Sequence, residues 1–189
     1  SVSTFESLLH EYGYYFVFAC AFLEGESGVL LAGIAAHRGY LHLGLVILIA
    51  ALGAALGDQL WFQLGRSQGK AFLQSRPHWE KGLKRFEALS ERWGTPLILG
   101  FRFLYGMRML GAAALGVSGL SRLRFTLLNF VGAFFWALLT ASAGFFFGKA
   151  VETTMGDMAS YEQWVFLGLL IVALAAAFRH WVANRRVAD

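Results

Sequence analysis

Two long runs with almost no charge limit this chain more than any other feature of its sequence. Residues 41–64 carry one formal charge in 24 positions, Asp58 near the end of the run, and residues 125–148 carry none in 24. An apolar stretch of about 20 residues is long enough to cross the hydrocarbon core of a bilayer, so both runs are expected to be transmembrane helices. Composition agrees: 57% of the residues are apolar before glycine is counted, and about 69% with the 22 glycines, against roughly 45–50% in soluble domains. Charged residues make up 15% where about 25% is usual, which excludes a disordered chain or a nucleic-acid-binding arm. With 189 residues the chain is expected to form one domain, an all-α integral membrane protein, with at most about four or five crossings.

The remaining charges set the orientation. Residues 66–95 hold seven of the sixteen basic side chains, Arg66, Lys70, Arg76, Lys81, Lys84, Arg85 and Arg92, against Glu80, Glu87 and Glu91, and such an excess marks the cytoplasmic side. Within this segment Trp79, Leu83, Phe86, Leu89 and Trp93 recur at helical spacing, which predicts an amphipathic helix along the membrane surface. A further span is expected over residues 161–181, with Tyr161 and Trp181 as interfacial anchors and Arg179, Arg185 and Arg186 placing the C-terminus in the cytoplasm. The first dozen residues contain Glu6 and Glu11 but no Lys or Arg, so they lack the basic start of a signal peptide and are read as part of the mature fold. Cys20 is the one cysteine and is read as a small core residue.

Two segments are not simple spans. Residues 13–36 are apolar except for Leu23-Glu24-Gly25-Glu26-Ser27-Gly28 in the middle, and residues 96–120 are apolar except for Arg102 and Arg108. Each half is too short to cross alone. Basic residues flank the second segment on both sides, so it is expected to enter and leave on one face as a re-entrant hairpin; irregular backbone at that depth must be buried in protein or line a wet cavity. Each hairpin is followed by a long helix bearing a glycine and a tryptophan one turn apart, Gly57 with Trp61 and Gly132 with Trp136. The reading is therefore an inverted repeat, hairpin plus transmembrane helix twice over, as in many secondary transporters, followed by the C-terminal transmembrane helix.

Five charges fall at or near membrane depth: Glu24, Glu26, Asp58, Arg102 and Arg108. Each costs about 2.5–3.5 kcal/mol on an insertion scale, so they are expected to face one another or a water-filled cavity. Glu24 and Glu26 point to opposite sides of a helix but to one cavity in a turning segment, and a break near Gly106 would let Arg102 and Arg108 converge. Two guanidiniums in a dry site suit a phosphate, because arginine stays charged and presents paired donors. The carboxylates can balance the arginines or take up a proton. Asp58 is read either as a partner of Arg66 or another cytoplasmic arginine that anchors its helix, or as part of the functional set. Asn129 is read as an interhelical hydrogen bond. His37 and His42 are read as interfacial residues, and no metal site is expected.

The ordered set Phe22-Leu23-Glu24-Gly25-Glu26-Ser27, Ala32-Gly33, Gly39, Gly57-Asp58, Gly65-Arg66, Phe101-Arg102-Phe103, Arg108, Gly116 to Gly119, Phe125, Asn129, Gly132 and Trp136 resembles the DedA family of bacterial membrane proteins, and most closely its short members. The resemblance covers about residues 14–149. It implies paired re-entrant hairpins in an inverted repeat and lipid transport across the bacterial cytoplasmic (inner) membrane, of undecaprenyl phosphate in some members and phosphatidylethanolamine in others, with proton coupling. The family's acidic pair maps to Glu24 and Glu26 and its arginine pair to Arg102 and Arg108. Many members separate the two acids by a longer, proline-containing stretch, whereas here they are nearly adjacent.

The expected activity is movement of a phosphate-bearing lipid between leaflets, without catalysis. Arg102 and Arg108 would bind the phosphate, and Glu24, Glu26 and Asp58 would serve as proton-coupling or counter-charge groups. Expected partners are the bilayer and that lipid, with no nucleic acid and no cofactor beyond the proton motive force; a homodimer is left open. The competing classes are a membrane-embedded lipid-phosphate enzyme and a non-transporting scaffold or insertion factor. The five histidines, His10, His37, His42, His78 and His180, all fall at interfaces or in loops, which disfavours the enzyme.

Overall fold

Seven α-helices and one 3-10 turn, and no strand, make up the described part of the computed structural model, which covers residues 2–23, 25–75, 79–103 and 108–155. The chain runs α1 (Val2–Phe22), α2 (Glu26–His37), α3 (Leu43–Gln74), α4 (Trp79–Trp93), α5 (Thr95–Gly100), the 3-10 turn Phe101–Phe103, α6 (Arg108–Val117) and α7 (Arg122–Met155). Among the described residues, two stretches are long and apolar enough to cross a membrane, Leu43–Ala71 in α3 and Arg122–Thr153 in α7. These are the two spans expected from the long apolar runs. The expected C-terminal span at 161–181 lies outside the described residues. From Lys149 the chain forms a separate unit, described as helix to Met155, with the Thr153 hydroxyl donating to Lys149 O at 3.0 Å.

The break in the first polar-tipped segment falls where its glycine and acids predict, between Phe22 and Glu26, and α1 packs against α2. The arm before the break differs from expectation. It begins at Val2, not near residue 13, and its 21 residues extend about 32 Å at 1.5 Å per residue. Pro96 sits in the first turn of α5, where its missing N–H leaves nothing unsatisfied. The second segment then tightens into the 3-10 turn and resumes as α6 at Arg108.

α3 also outruns its expected end. Arg66, which follows the long apolar run in the sequence, does not stop the helix: its Nη1 donates to Leu120 O at 3.2 Å, and α3 continues to Gln74. A kink interrupts it at Gly69, with φ 69° and ψ −164°, a left-handed conformation that side chains other than glycine rarely adopt. A Cβ there would meet nothing within 4 Å, so the penalty of Gly69→Ala is purely conformational. It should lower stability by about 1–3 kcal/mol, read as a drop in Tm in detergent; an unchanged Tm would mean that α3 can run straight.

α4 is the expected amphipathic helix, and much of its apolar face packs on protein. Phe86 is buried, and Trp79, Leu83 and Leu89 pack on a cluster that contains Leu73 of α3, Leu110 of α6 and Phe101. The position of Gly111 explains the fit, since a Cβ there would run into the rings of Phe101 and Phe86.

Close backbone approach joins the long helices to the short ones. In a bilayer, helices gain little from the hydrophobic effect and associate through tight packing at small residues. On α3, a Cβ on Gly65 would fall within 3.0 Å of Ala113 O of α6, and one on Gly116 of α6 would fall equally close to Phe62 O. On α7, Gly144 faces Leu30 O of α2 in the same way, and Gly33 of α2 faces Ala141 O. The two seams are built alike, with partners three residues apart on each helix. α3 and α7 are themselves antiparallel, joined by Asn129 to Ala55, Gln59 to Thr126 and the stacked rings of Phe62 and Phe125 at 4.1 Å.

Candidate functional site

Where α3 and α7 meet the 3-10 turn and the start of α6, four polar side chains lie inside the apolar body. Asp58 is 1% exposed, Arg102 2%, Arg108 5% and Asn129 0%. Because α3 runs past Arg66, Asp58 lies near the middle of the apolar stretch Leu43–Ala71, not close to an end. Its carboxylate accepts from both arginines: Oδ2 from Arg102 Nη2, and Oδ1 from Arg108 Nε at 2.8 Å. Arg66 is not its partner.

Asn129 completes the network as an interhelical link. Its Oδ1 accepts from Arg102 Nη2 at 2.5 Å and its Nδ2 donates to Ala55 O on α3 at 2.9 Å. Gly132, one turn further along α7, sits close to the backbone just before Arg102: a Cβ there would be 3.0 Å from Leu99 O. Arg108 reaches in the other direction. Its Nη2 donates to Ala54 O at 2.9 Å and to Ala21 O at 3.1 Å, and its guanidinium lies over the Trp136 ring, 5.3 Å from the centroid. Ala21 is in the last turn of α1, so Arg108 of the second segment touches the tip region of the first.

Both guanidiniums bind the Asp58 carboxylate, and Arg102 has donors to spare. Arg102 Nε and Nη1 are buried without an acceptor among the described residues. A buried charged donor left in that state is costly, and its usual explanation is a ligand, ion or water at the site. The neighbouring Gln59 is in a similar position. Its Nε2 donates to the Thr126 hydroxyl at 2.9 Å, and because that hydroxyl donates to Arg122 O, the amide oxygen faces away and is buried without a donor among the described residues.

Of the other sequence-predicted residues, Glu26 opens α2 and is exposed, with no ion pair among the described residues; an acid in the first turn suits the positive end of the helix. Glu24 lies outside the described residues. His37 is at the end of α2, edge-on to Phe145 at 5.1 Å, and His10 and His42 are exposed. No group of three metal-ligating side chains occurs among the described residues. Sequence reasoning missed Gln59 and Thr126. Their signal was available, since Gln59 is an amide next to Asp58 inside an otherwise apolar run.

The VTT domain model matches residues 23–146, the stretch that holds the whole network. The chain belongs to the VTT-domain, or DedA, family. Like its relatives in that family, it is a membrane protein. It is 34% identical over 180 residues to the inner membrane protein YohD of Escherichia coli K12, covering 95% of this chain and 93% of YohD. An uncharacterized membrane protein of Synechocystis is 32% identical over 164 residues, 80% of this chain and 74% of that protein. The inner membrane protein YqjA of E. coli K12 is 28% identical over 134 residues, 68% of this chain and 60% of YqjA. No solved structure matches this DedA-family chain.

Proposed function

We propose that this DedA-family protein moves a phosphate-bearing lipid, such as undecaprenyl phosphate or phosphatidylethanolamine, between the leaflets of a bacterial inner membrane without cleaving it. The observation that carries the reading is the buried network of two arginines on one carboxylate, with Arg102 Nε and Nη1 left without acceptors among the described residues. A buried guanidinium with unmet donors is expensive inside such a body. A phosphate oxygen would supply the missing acceptor to Arg102 as a charge-assisted hydrogen bond. Asp58 is the resting counter-charge. A bound phosphate competes with it for the guanidiniums, and protonation of a carboxylate shifts that competition. Glu24 is three residues from Ala21, whose carbonyl Arg108 already holds, and with Glu26 it is the proposed proton-coupling pair.

The two glycine seams, each between a long helix and the short helix of the other half, support an inverted repeat of two hairpin-plus-helix units. The antiparallel pairing of α3 and α7 fits the same reading. Both segments would then enter from opposite faces and bring their tips to the Asp58 network, with the C-terminus in the cytoplasm.

Purified protein in liposomes, given a fluorescent phosphate lipid and a membrane-impermeant quencher, tests this. The expected result is accelerated loss of protected lipid with the lipid recovered intact. Arg102→Lys should slow it by about tenfold or more, the equivalent of one charge-assisted hydrogen bond. Cleaved lipid would identify a membrane enzyme, and neither movement nor cleavage a scaffold. Glu24→Gln or Glu26→Gln protein with an unchanged rate and pH profile would remove proton coupling from the proposal.

A further inference from the structure

Among the described residues, one buried side-chain oxygen lacks a donor, Oε1 of Gln59. The bonds around it fix which way the amide faces. The Thr126 hydroxyl gives its proton to Arg122 O at 2.8 Å, so toward Gln59 it can only accept, and the amide nitrogen faces it at 2.9 Å. Turning the amide over would oppose two oxygens and break this link between α3 and α7. The oxygen is therefore held in a position that local bonding does not use.

Its place on the seam relates it to the buried arginines. α3 and α7 are joined in successive rungs, Ala55 O with Asn129 and then Gln59 with Thr126. Asn129 also receives Arg102 Nη2, and Thr126 is three residues from Asn129, about 4.5 Å along the helix. Gln59 itself adjoins Asp58, the other partner of that nitrogen. The unmet acceptor of Gln59 and the unmet donors of Arg102, Nε and Nη1, thus belong to rungs one turn apart. They do not bond one another, since all three lack partners among the described residues. A group that satisfies both ends must bring an acceptor and a donor together.

We propose that Gln59 is a specificity-determining residue of the candidate site, and that the phosphate admitted there carries a hydrogen-bond donor. The donor is a hydroxyl on the phosphorus, as in a phosphate monoester, or an amine N–H of the head group, as in ethanolamine. The phosphate oxygens accept from Arg102, and the O–H or N–H donates to Gln59 Oε1. A choline phosphodiester has neither donor and leaves the amide oxygen buried and unpaired, the kind of mismatch by which polar sites reject close analogues. The inference rests on the phosphate reading of Arg102 and adds the group that selects among phosphates.

Binding tests this, read as the rise in Tm of the full chain in detergent on titration with short-chain probes. Two pairs matched in charge separate the sources of the donor: dihexanoyl phosphatidylethanolamine against dihexanoyl phosphatidylcholine, and octyl phosphate against octyl methyl phosphate at about pH 5, where a monoester keeps one P–OH. In at least one pair the donor-bearing member is expected to half-saturate at about tenfold lower concentration, and the pair that discriminates names the source. Gln59→Met should bring the two members of that pair together. Phe62→Leu, which breaks the ring stack with Phe125 on the same seam, should lower Tm but keep the preference. Equal affinities within both pairs for the parent protein would overturn the proposal and assign the oxygen to a bound water. A preference that survives Gln59→Met, or that Phe62→Leu abolishes as fully, would overturn it too. A parent protein that responds to none of the probes would remove the phosphate reading together with this one, whereas equal responses remove this one alone. The readout is occupancy, so a protein unable to translocate lipid would still give it.

Discussion

Asp58→Asn protein should unfold at a much lower temperature than the parent, with a loss of about 3–5 kcal/mol, because it leaves two buried guanidiniums without their carboxylate. Asp58 is the single carboxylate that both arginines share among the described residues. Asparagine keeps the shape and one acceptor but removes the negative charge. The diagnostic experiment is a double-mutant comparison. Adding Arg102→Met to Asp58→Asn removes one stranded charge, so the double variant should be more stable than Asp58→Asn alone, a reversal that independent sites would not show. If the double variant is less stable by the sum of the single losses, the three groups are not energetically coupled. Recovery should be partial, since Arg108 would still lack its bond to Asp58 and Asn129 would lose its donor from Arg102.

The second large effect is expected at the glycine seams. Alanine at Gly65, Gly116, Gly33 or Gly144 would drive a methyl group into a backbone carbonyl of the facing helix, a contact under 3.0 Å in each case. Backbone cannot rotate aside as a side chain can, so the helices must part. Each substitution should destabilise by about 1–3 kcal/mol, as overpacking does, and more for valine. Gly44→Ala and Gly100→Ala provide the control, because a Cβ at either position meets nothing within 4 Å; these should be neutral or slightly stabilising. Thermal unfolding of the six alanine variants in one detergent would separate the two classes. A seam variant as stable as the Gly44→Ala protein would contradict the packing described for that seam.

Much of the helical layout is legible in the residues alone. Long apolar runs have one use in a chain this poor in charge, and the break after Phe22 follows from acids and glycines in the middle of an apolar segment. Asn129 as an interhelical hydrogen bond is also legible, because an amide inside an apolar run must find a partner on another helix. The length of the elements is less so. The first arm extends back to Val2 and α3 forward to Gln74, since a polar or charged residue marks where a run stops being apolar and not where its backbone hydrogen bonds end. The face of α4 illustrates a related limit. Helical spacing shows that an apolar stripe exists but not what it packs on, and Leu110 and Gly111 of α6 provide part of that surface.

By itself the sequence determined the medium, the helical class and the short list of charges that could not be left alone in it, because the free energy of placing a residue in a bilayer depends mostly on its own chemistry. Which charges meet was decided by tertiary structure alone. Asp58 is 44 residues from Arg102 and 50 from Arg108, while Arg66 is its near neighbour along the chain. It pairs with the distant arginines because glycines bring α3 and α6 within backbone contact and Gly132 brings α7 against Leu99 O, three residues before Arg102. Ion pairing at such separations is a consequence of how closely helices can approach, and that is set by side chains that are absent as much as by those that are present.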